Sequence, residues 1–245
     1  MKKLIKHALK KIHLYDFVQF YLIHIRLLKR IACGTDNRII KRYLSVNGVK
    51  KLQIGSGENF LEGWINSDID PCSDNKIYLD ASKSFPFEDS TFDYVFSEHM
   101  IEHITYQEGF NMLSECYRIL IPGGKIRVAT PDLQFLFELY KLNKSELQNE
   151  YIKWSVKKSN IPGVTAFADT FVINKFFSGW EHKFIYDEKA LRYTLLKIGF
   201  TGIKKCHLNE SDDELLRGLE NENRMPAGFL ELETIVLEGT KQISG

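Results

Sequence analysis

The segment from residue 50 to residue 70 constrains the fold of this chain more than any other. It reads KKLQIGSGENFLEGWINSDID. A short apolar run ends in Gly55-Ser56-Gly57, and a second short run ends on Asp68. A strand, a glycine turn and a carboxylate after the next strand together form half of a nucleotide-binding α/β crevice. Glycine lets the backbone approach a ligand, and a carboxylate can accept both ribose hydroxyls.

This segment departs from the dinucleotide-binding fingerprint. Its third glycine is misplaced, and Asp68 follows Gly57 by far fewer than the ~20 residues of that pattern. A G-x-G after an apolar run is also common in ordinary tight turns. The segments that follow therefore decide the interpretation.

Three further strands are predicted downstream of the glycine turn. They cover residues 76–79, 91–97 and 125–130, and the first and last are followed by Asp80-Ala81 and by Asp132. A helix is predicted from Thr105 to Leu120, with Thr105 and Glu108 as a capping box and Pro122-Gly123-Gly124 as its stop. Strands that alternate with helical or loop crossovers predict an α/β protein with a doubly wound, mostly parallel sheet.

The polar residues after these strands are expected to lie on one edge of the sheet. Ligands of parallel sheets bind beyond the carboxyl ends of the strands. Gly55, Asp68, Asp80, Ser97 and Asp132 all fall at such ends. Five candidate contacts on one edge predict a binding site there.

The charge of the chain is concentrated at its start. Residues 1–50 carry twelve Lys and Arg against two Asp, a net charge of +10, so the other residues carry −9 of the total of +1. This asymmetry indicates a basic arm that meets an anionic surface. The acidic remainder would repel phosphates, so nucleic acid is not an expected partner.

The basic arm, residues 1–48, is predicted to be a helical extension of a domain that covers residues 49–245. Residues 1–32 contain no Gly or Pro, and Lys2, Lys6 and Lys10 share one helical face. The helix either packs on the domain or lies on an anionic membrane surface through residues 1–30. Its apolar runs are too short to span a bilayer, and it lacks a signal-peptide pattern.

Four scattered cysteines without a C-x-x-C pair argue against a zinc ribbon and a disulfide framework. They suit a reducing compartment. We therefore expect a cytoplasmic protein, with peripheral membrane attachment as an open alternative.

The chain resembles class I S-adenosylmethionine-dependent methyltransferases of the compact type 11-like group. The resemblance rests on LQIGSG, INSDID, YLDAS, FPFEDSTFDYVFSEHMIEHI and RILIPGGKIRVATPD, and it resumes at HKFIYDEKALRYTLLKIGFTGIKKC and FLELETIVLE. It implies a seven-stranded Rossmann-like sheet and S-adenosyl-L-methionine as cofactor. Relatives with this second strand often accompany surface-polysaccharide genes, which implies polysaccharide biosynthesis.

The resemblance also implies which residues hold the cofactor. The glycine loop would hold its methionine part, Asp68 its ribose and Asp80 its adenine amino group, with Ala81 against the ring. Two residues at the end of the fourth strand complete the set of predicted contacts, which is Gly55, Ser56, Gly57, Asp68, Asp80, Ala81, Ser97 and Glu98.

An inserted cap of helical and aromatic character is expected at about residues 133–186. In the family, such an insertion covers the active site and contacts the acceptor. Most of its aromatic side chains are expected to form a small core, whereas Trp180 and His182 are predicted to face the acceptor. A saccharide or lipid-linked glycan is the favoured acceptor, within the wider class of small molecules.

Candidate catalytic residues follow the fourth strand. His99 is the first candidate for a general base, His103 the second and Asp132 the third, since an alcohol acceptor must lose a proton. The HMIEH segment also matches a metalloprotease pattern, but no third ligand is evident. No metal is therefore predicted, and His99, Glu102 and His103 are the set that would hold one, as in ubiquinone-pathway O-methyltransferases.

Two other functions remain open. Asp68-Ile69-Asp70 resembles the D-x-D of metal-dependent glycosyltransferases, which binds a cation and a nucleotide diphosphate. The second open function is a binding module that keeps the fold but catalyses no reaction.

Near the C-terminus, the acidic run 210–222 is interpreted as a solvated face.

Overall fold

The structure is a computed structural model that describes residues 15–243. Within this range, seven strands form one sheet in the order β3-β2-β1-β4-β5-β7-β6. The strands are β1 (Lys51–Ile54), β2 (Ile65–Asp68), β3 (Lys76–Tyr78), β4 (Phe92–Glu98), β5 (Leu120–Pro131), β6 (Phe200–Cys206) and β7 (Thr234–Lys241).

The described α-helices are α1 (Tyr15–Ala32), α2 (Thr35–Ser45), α3 (Tyr106–Ile119), α4 (Leu133–Tyr140), α5 (Glu146–Ser159), α6 (Asp169–Ser178), α7 (Glu188–Ile198) and α8 (Phe229–Glu233). Short 3₁₀ helices cover Ile101–His103, Glu214–Leu216 and Glu222–Arg224.

The sheet is doubly wound and mostly parallel, which confirms the predicted Rossmann-like class. Strands β1 to β5 pair in parallel, whereas β7 lies antiparallel between β5 and β6. The chain leaves β1 toward β2 on one side and later enters β4 on the other. This change of direction places the expected ligand crevice at the carboxyl ends of β1 and β4.

The helix predicted after the fourth strand is shorter than expected. Its capping box forms as predicted, since Thr105 and Glu108 bond reciprocally. The helix ends at Ile119, however, and Pro122-Gly123-Gly124 lie inside β5. The predicted stop is therefore wrong: Leu120 is fully buried and pairs with Phe92, so tertiary pairing begins the strand before the proline.

No helix connects β1 to β2, because residues 55–64 form only turns. The sheet face beside this connection is covered by a cluster of Trp64, Phe96, Leu216 and Leu219. Two of these residues come from the run 210–222. The interpretation of that run as a solvated face is therefore wrong for its apolar members.

A buried ion pair fixes the same run. The side chain of Arg127 on β5 is fully buried and donates to Glu220 Oε1 at 2.6 Å and to Glu238 Oε1 at 2.6 Å. Its guanidinium also donates to the carbonyls of His207 and Glu210. One cation thus ties the run 210–222 to the interior strands β5 and β7, and Glu220 is buried because Arg127 needs a counter-charge.

The N-terminal extension packs against the β3 edge of the sheet. Arg30 of α1 is buried and donates to the Ser73 carbonyl at 3.2 Å and to Asp36 of α2 at 3.1 Å. Asp36 in turn accepts from Tyr78 N at 3.3 Å. Helix α1 ends at Ala32 as predicted, whereas the predicted helix over residues 1–14 and its lysine face lie outside the described residues. In residues 15–243, no helix is long and apolar enough to cross a bilayer.

The segment between β5 and α7 forms a helical cap with its own aromatic core. Helices α4, α5 and α6 contribute Phe135, Tyr151 and Phe176 to this core, and α8, which follows β6, adds Phe229; all four side chains are buried. Their rings meet edge to face, as in the pair Phe135–Tyr151 at 5.1 Å.

The boundary between extension and main domain at residue 48 stays a prediction.

Candidate functional site

Two cavities lie side by side at the carboxyl edge of the sheet. We call the larger one, of about 540 Å³, the glycine-loop cavity. It is lined by Ile54, Gly55, Gly57, Asp68, Ile69, Leu79, Asp80, Ala81, Ser82, His99, Met100, His103, Ile104, Glu108, Glu181 and Lys183. Its volume falls within the ~300–1,000 Å³ typical of small-molecule sites.

The glycine loop takes a conformation that other residues rarely adopt. Gly55 has φ 68° and Gly57 has φ 49°. A Cβ on Gly55 would lie 2.6 Å from the Met100 Cβ, so the backbone and Met100 leave no room for a side chain. Gly57 N donates to Asp68 Oδ2 at 2.7 Å, which locks the loop onto the end of β2.

The two predicted carboxylates face this cavity and keep free acceptor capacity. Asp68 accepts from Gly57 N and, at 2.9 Å, from Asp70 N. Asp80 Oδ1 accepts from Ser82 N at 2.9 Å and from its hydroxyl at 2.7 Å. Each carboxylate has about four acceptor positions, so further hydrogen bonds to a ligand remain possible.

Three predicted cofactor contacts do not line the glycine-loop cavity. Ser56 and Ser97 are buried, and their hydroxyl oxygens have no hydrogen-bond partner among the described residues. Glu98 accepts instead from Asn221 N at 3.1 Å and from Asn59 Nδ2 at 3.3 Å. Its place at the strand end suggested a cofactor contact, but its side chain joins the loop before the 3₁₀ helix Glu222–Arg224.

We call the second cavity, of about 340 Å³, the aromatic cavity. It is lined by His99, Glu102, His103, Pro131, Tyr151, Trp154, Lys158, Phe176, Trp180, His182, Arg224, Met225 and Glu233. His99 and His103 line both cavities, so these two imidazoles stand at the boundary between them.

His99 is held by partners on both sides of its ring. Its backbone is left-handed, with φ 45°, and its Nε2 lies 2.8 Å from Thr234 Oγ1. Its Nδ1 lies 3.5 Å from Glu102 Oε1. Burial lowers the pKa of His99 well below its usual 6.5, so the ring is neutral at pH 7.

Glu102 is fully buried at the floor of the aromatic cavity. Burial raises the pKa of this carboxyl to about 8. Its Oε2 accepts from Thr130 Oγ1 at 3.1 Å, whereas Oε1 has no hydrogen-bond partner among residues 15–243. A buried carboxylate oxygen without a partner is costly, so this atom calls for an explanation.

Two further imidazoles stand above this oxygen. His103 Nε2 lies 3.9 Å from Glu102 Oε1, and the His103 and His182 rings meet edge to face at 4.9 Å. His182 Nδ1 lies 3.0 Å from the Phe176 carbonyl oxygen. Burial lowers the pKa of His103 and lowers that of His182 to about 4.

The two predicted acceptor residues both line the aromatic cavity. Trp180 packs edge to face on Phe176 at 5.2 Å, and Trp180 and Glu181 are consecutive left-handed residues, with φ 53° and 63°. This turn brings His182 back toward the sheet, where Lys183 N donates to the Glu102 carbonyl at 2.8 Å.

Several lining residues were missed by sequence reasoning, namely Tyr151, Trp154, Lys158, Arg224, Met225 and Glu233. Tyr151 and Trp154 had been seen only as members of an aromatic-rich stretch. Lys158 and Arg224 had no signal, because a cation in a polar segment is ordinarily solvated.

Asp132 does not take part in either cavity. It caps α4 by accepting from Gln134 N at 2.9 Å, and it lines a separate hollow near Lys205 and Glu231. Its position after a strand suggested catalysis, but capping explains it. Asp70 is likewise engaged, since it pairs with Arg26 of α1.

Comparison with known families finds one match. The family model described as "Methyltransferase domain" matches residues 70–128, which is less than half of the chain. This part contains β3, β4, α3 and most of β5, together with Asp80, His99 and His103. No curated protein sequence matches the chain.

Solved structures match this chain at low similarity. A possible histamine N-methyltransferase from Thermotoga maritima is 18% identical, with a TM-score of 0.46 over 97% of this chain and all of that one. An S-adenosylmethionine-dependent methyltransferase from Archaeoglobus fulgidus is also 18% identical, with a TM-score of 0.47 over 93% and 100%. A phosphoethanolamine N-methyltransferase from Haemonchus contortus is 17% identical, with a TM-score of 0.42 over 86% and 53%. Similarity at this level carries no information on the acceptor.

Proposed function

We propose that this chain is an S-adenosylmethionine-dependent methyltransferase that methylates a hydroxyl of a saccharide or lipid-linked glycan. One observation carries the proposal: the glycine-loop cavity and the aromatic cavity adjoin and share His99 and His103. A donor in the first cavity and an acceptor in the second would meet at these two residues. The methyltransferase-domain match over residues 70–128 supports the reaction class.

The cofactor is S-adenosyl-L-methionine, and the residues of the glycine-loop cavity fit it. The absence of a side chain at Gly55 lets the loop pack directly against Met100, where a Cβ would collide. Asp68 would accept the ribose hydroxyls and Asp80 the adenine amino group, with Leu79 and Ala81 as apolar surface beside the ring. When bound, this cofactor supplies a methyl group activated by its sulfonium.

The aromatic cavity supports a sugar-like acceptor. Tyr151, Trp154 and Trp180 give it flat apolar faces, whereas Lys158 and Arg224 give it cationic groups. The Nε and Nη2 atoms of Arg224 are buried without a hydrogen-bond partner among the described residues, although Glu98 Oε1 lies 3.7 Å away. A ring with one apolar face and acceptor oxygens at its rim would satisfy both kinds of group.

The residues at the boundary would align the acceptor and take its proton. Positioning supplies much of the rate of a displacement with an activated donor. A hydroxyl acceptor also needs a base. His103 is the best-placed imidazole, because it lines both cavities and Thr234 occupies the Nε2 of His99.

The glycosyltransferase alternative has less support. A D-x-D motif needs both carboxylates free for a cation. Here Asp70 pairs with Arg26, and Asp68 holds Gly57 N. A silent binding module of the same fold would bind the cofactor but transfer no methyl group. Labelled S-adenosylmethionine with cell extracts distinguishes it from an enzyme.

Calorimetry with S-adenosylhomocysteine tests the cofactor site. Asp68→Ala removes a charged acceptor from two hydroxyls, a loss of roughly 1.5–3 kcal/mol or about ten- to hundredfold in affinity. Asp80→Ala should also weaken binding. Asp74→Ala, which removes an exposed acid near β3, is the matched control and should bind normally. The proposal fails if the native protein gives no heat, or if both site variants bind like the control.

The acceptor is tested with labelled S-adenosylmethionine and fractionated cell extracts. We expect label in the glycan or lipid-linked glycan fraction, and a lower yield with Trp180→Ala at saturating cofactor. Label only in protein or in nucleic acid would overturn the glycan assignment. No label in any fraction would favour the silent module.

We further propose that α1 attaches the protein to anionic membranes. Its outward face carries Leu22, Ile25, Leu28 and Ile31, and the last two are 66% and 75% exposed. Basic residues precede this helix in the sequence, and apolar side chains beside basic ones favour interfacial binding. Leu28→Ser with Ile31→Ser should release the protein from phosphatidylserine vesicles without changing cofactor affinity. Wild-type protein that ignores such vesicles at low salt would overturn this.

A further inference from the structure

The site contains a group of metal-binding atoms that methyl transfer alone does not require. Glu102, His103 and His182 each direct one ligand atom into the aromatic cavity, and these atoms lie within 4.8 Å of one another. The set differs from the one expected from the HMIEH segment, in which His99 took the third place. The structure gives that place to His182, which lies far from Glu102 along the sequence.

An unpartnered oxygen lies at the centre of this group. Glu102 is fully buried, and its Oε1 has no hydrogen-bond partner among the described residues. The other oxygen of the same carboxylate is fixed by Thr130 Oγ1 at 3.1 Å. The carboxylate is therefore oriented, with one oxygen left toward the two imidazoles.

The imidazoles are arranged as metal ligands ordinarily are. Metal-bound histidines use one ring nitrogen for the metal and donate the other to a carbonyl or a carboxylate. His182 Nδ1 faces the Phe176 carbonyl at 3.0 Å, which leaves Nε2 for a ligand. His103 Nε2 lies 3.9 Å from Glu102 Oε1, so this ring nitrogen is the one that faces the carboxyl group.

His99 is not equivalent to these two residues. Its Nε2 is 2.8 Å from Thr234 Oγ1, so the nitrogen on the far side of its ring is already engaged. Its Nδ1 is 3.5 Å from Glu102 Oε1 and can orient that carboxylate from behind. We therefore assign His99 a positioning role beside the site.

We propose that Glu102, His103 and His182 bind one divalent transition-metal ion, with zinc as the best chemical match. Two imidazoles and one carboxylate form a three-ligand set that zinc takes in open sites, where a fourth position stays free for water or substrate. Ligand atoms of a tetrahedral zinc site lie about 3.4 Å apart at ~2.1 Å from the metal. The three ligand atoms lie within 4.8 Å of one another, so side-chain movements of about 1 Å would bring them to the spacing of a zinc site. The backbone beside His182 is already fixed, because Lys183 N donates to the Glu102 carbonyl.

The ion would also act on the acceptor, and this part rests on the proposed function. With the ion bound, His103 would be one of its ligands, so the ion would replace the role of His103 as base. Its open position faces the aromatic cavity, beside the boundary with the glycine-loop cavity. A hydroxyl bound to a divalent ion has a lowered pKa and loses its proton more easily. The acceptor oxygen would lose its proton to solvent and form a bond to the methyl carbon, while the carbon–sulfur bond breaks, its electron pair returns to sulfur and S-adenosylhomocysteine leaves.

Metal binding is tested on the full chain after treatment with EDTA. Cobalt(II) is the probe, because low-coordinate sites with nitrogen and oxygen ligands give strong visible absorption. We expect one cobalt-dependent band in the wild type, and its displacement by an equivalent of zinc. Zinc affinity from calorimetry should fall at least tenfold in His182→Ala and in Glu102→Gln.

His207→Ala is the matched control, since His207 is an exposed histidine that faces Glu231 away from the cavity. It should keep the band and the affinity. His182→Asn is a second variant in case His182→Ala disturbs the cap, and circular dichroism checks the fold of each. A metal site that used His7, His13 or His24 would be unchanged in all these variants. Such a site could not account for a difference in zinc affinity between His182→Ala and the control.

Three outcomes would overturn the proposal: no cobalt band, equal zinc affinity in His182→Ala and in the control, or loss of binding only in His99→Ala. Loss of binding only in His99→Ala would favour the ligand set expected from the sequence, which is His99, Glu102 and His103. Affinity for S-adenosylhomocysteine is measured in parallel. Metal binding without cofactor binding would support the metal site and contradict the proposed methyltransferase activity. Cofactor binding without metal binding would contradict the metal site and leave the proposed activity unaffected.

Discussion

The two adjoining cavities are built in different ways. Most residues of the glycine-loop cavity come from one stretch, residues 54–108, and its polar contacts join near neighbours such as Gly57 and Asp68. The aromatic cavity collects residues from five regions of the chain, from His99 to Glu233. Its walls exist only after the cap and the C-terminal segments have packed.

This contrast indicates what each cavity depends on. The glycine-loop cavity needs a turn that other residues cannot adopt and two carboxylates at strand ends, and these are local features. The aromatic cavity needs the buried Arg127 cluster, the aromatic core of the cap and the turn at Trp180 and Glu181. Changes far from the aromatic cavity should therefore damage it while the glycine-loop cavity survives.

Loss of Arg127 should have the largest effect. Arg127→Ala leaves the carboxylates of Glu220 and Glu238 without their cation, and removal of one partner of a buried pair costs about 3–5 kcal/mol. We expect a fall of this size in the free energy of unfolding in urea. Hydrogen exchange should rise first in residues 208–225, which border the aromatic cavity, while S-adenosylhomocysteine still binds.

Lys141→Ala is the control for this prediction. Lys141 forms an exposed pair with Glu138 at 2.6 Å, and exposed pairs contribute about 0–1 kcal/mol. Equal losses in the two variants, or uniform exchange along the chain in Arg127→Ala, would contradict the dependence of the aromatic cavity on this ion cluster.

The second prediction concerns the pH dependence of stability. Glu233 in the wall of the aromatic cavity accepts a hydrogen bond from Tyr151, and burial raises its pKa from 4.5 to about 7. The folded state therefore holds a proton that the unfolded state has released between these values. This contribution to stability is complete below pH 4.5 and disappears as the pH rises through about 7, a change of roughly 3 kcal/mol.

The contribution of Glu233 is isolated as the difference between wild type and Glu233→Gln. Other groups titrate in the same range in both proteins, so urea unfolding is measured for each from pH 4 to pH 8. The stability of the wild type relative to the variant should decrease across the window. A constant difference would show that folding leaves the pKa of Glu233 unchanged.

The third prediction tests the boundary between the cavities. His103→Ala should reduce methyl transfer at least ~100-fold, the lower end for loss of a general base, while S-adenosylhomocysteine binding changes little. Initial rates at saturating cofactor measure this. His99→Ala should lose less, because the His99 Nε2 is engaged with Thr234. A loss confined to His99→Ala would restore the assignment made from the sequence.

The smallest predicted effect compares two glycines of the same loop. Both have positive φ, so an alanine at either costs about 1–2 kcal/mol. At Gly55 the new Cβ also collides with Met100, whereas at Gly57 nothing lies within 4 Å. Gly55→Ala should therefore unfold at lower urea and bind S-adenosylhomocysteine less well than Gly57→Ala. Equal behaviour would mean that Met100 moves aside without cost.

The sequence by itself determined the parallel sheet and most of the predicted residues that line the glycine-loop cavity. Hydrophobic periodicity, turn residues and helix caps depend only on neighbouring residues. The sequence alone was therefore enough to interpret LQIGSG, the acids Asp68 and Asp80, and the capping box at Thr105. The same local reasoning placed His99 and His103 at the carboxyl edge of the sheet, where both line the glycine-loop cavity. It was wrong on the helix stop before β5, where pairing of Leu120 with Phe92 overrode the proline signal.

Only the tertiary structure decided the aromatic cavity. His182 joins Glu102 and His103 because the cap folds back through two left-handed residues, and no spacing along the chain predicts that meeting. Asp132 leaves the site because a helix start needs its carboxylate, and Glu220 is buried because Arg127 is. For Glu102 and Glu220 a partner distant in sequence sets the role of a charged group, since burial makes an unpaired charge too costly to keep. The cap at Asp132 is local, because its partner Gln134 lies two residues away.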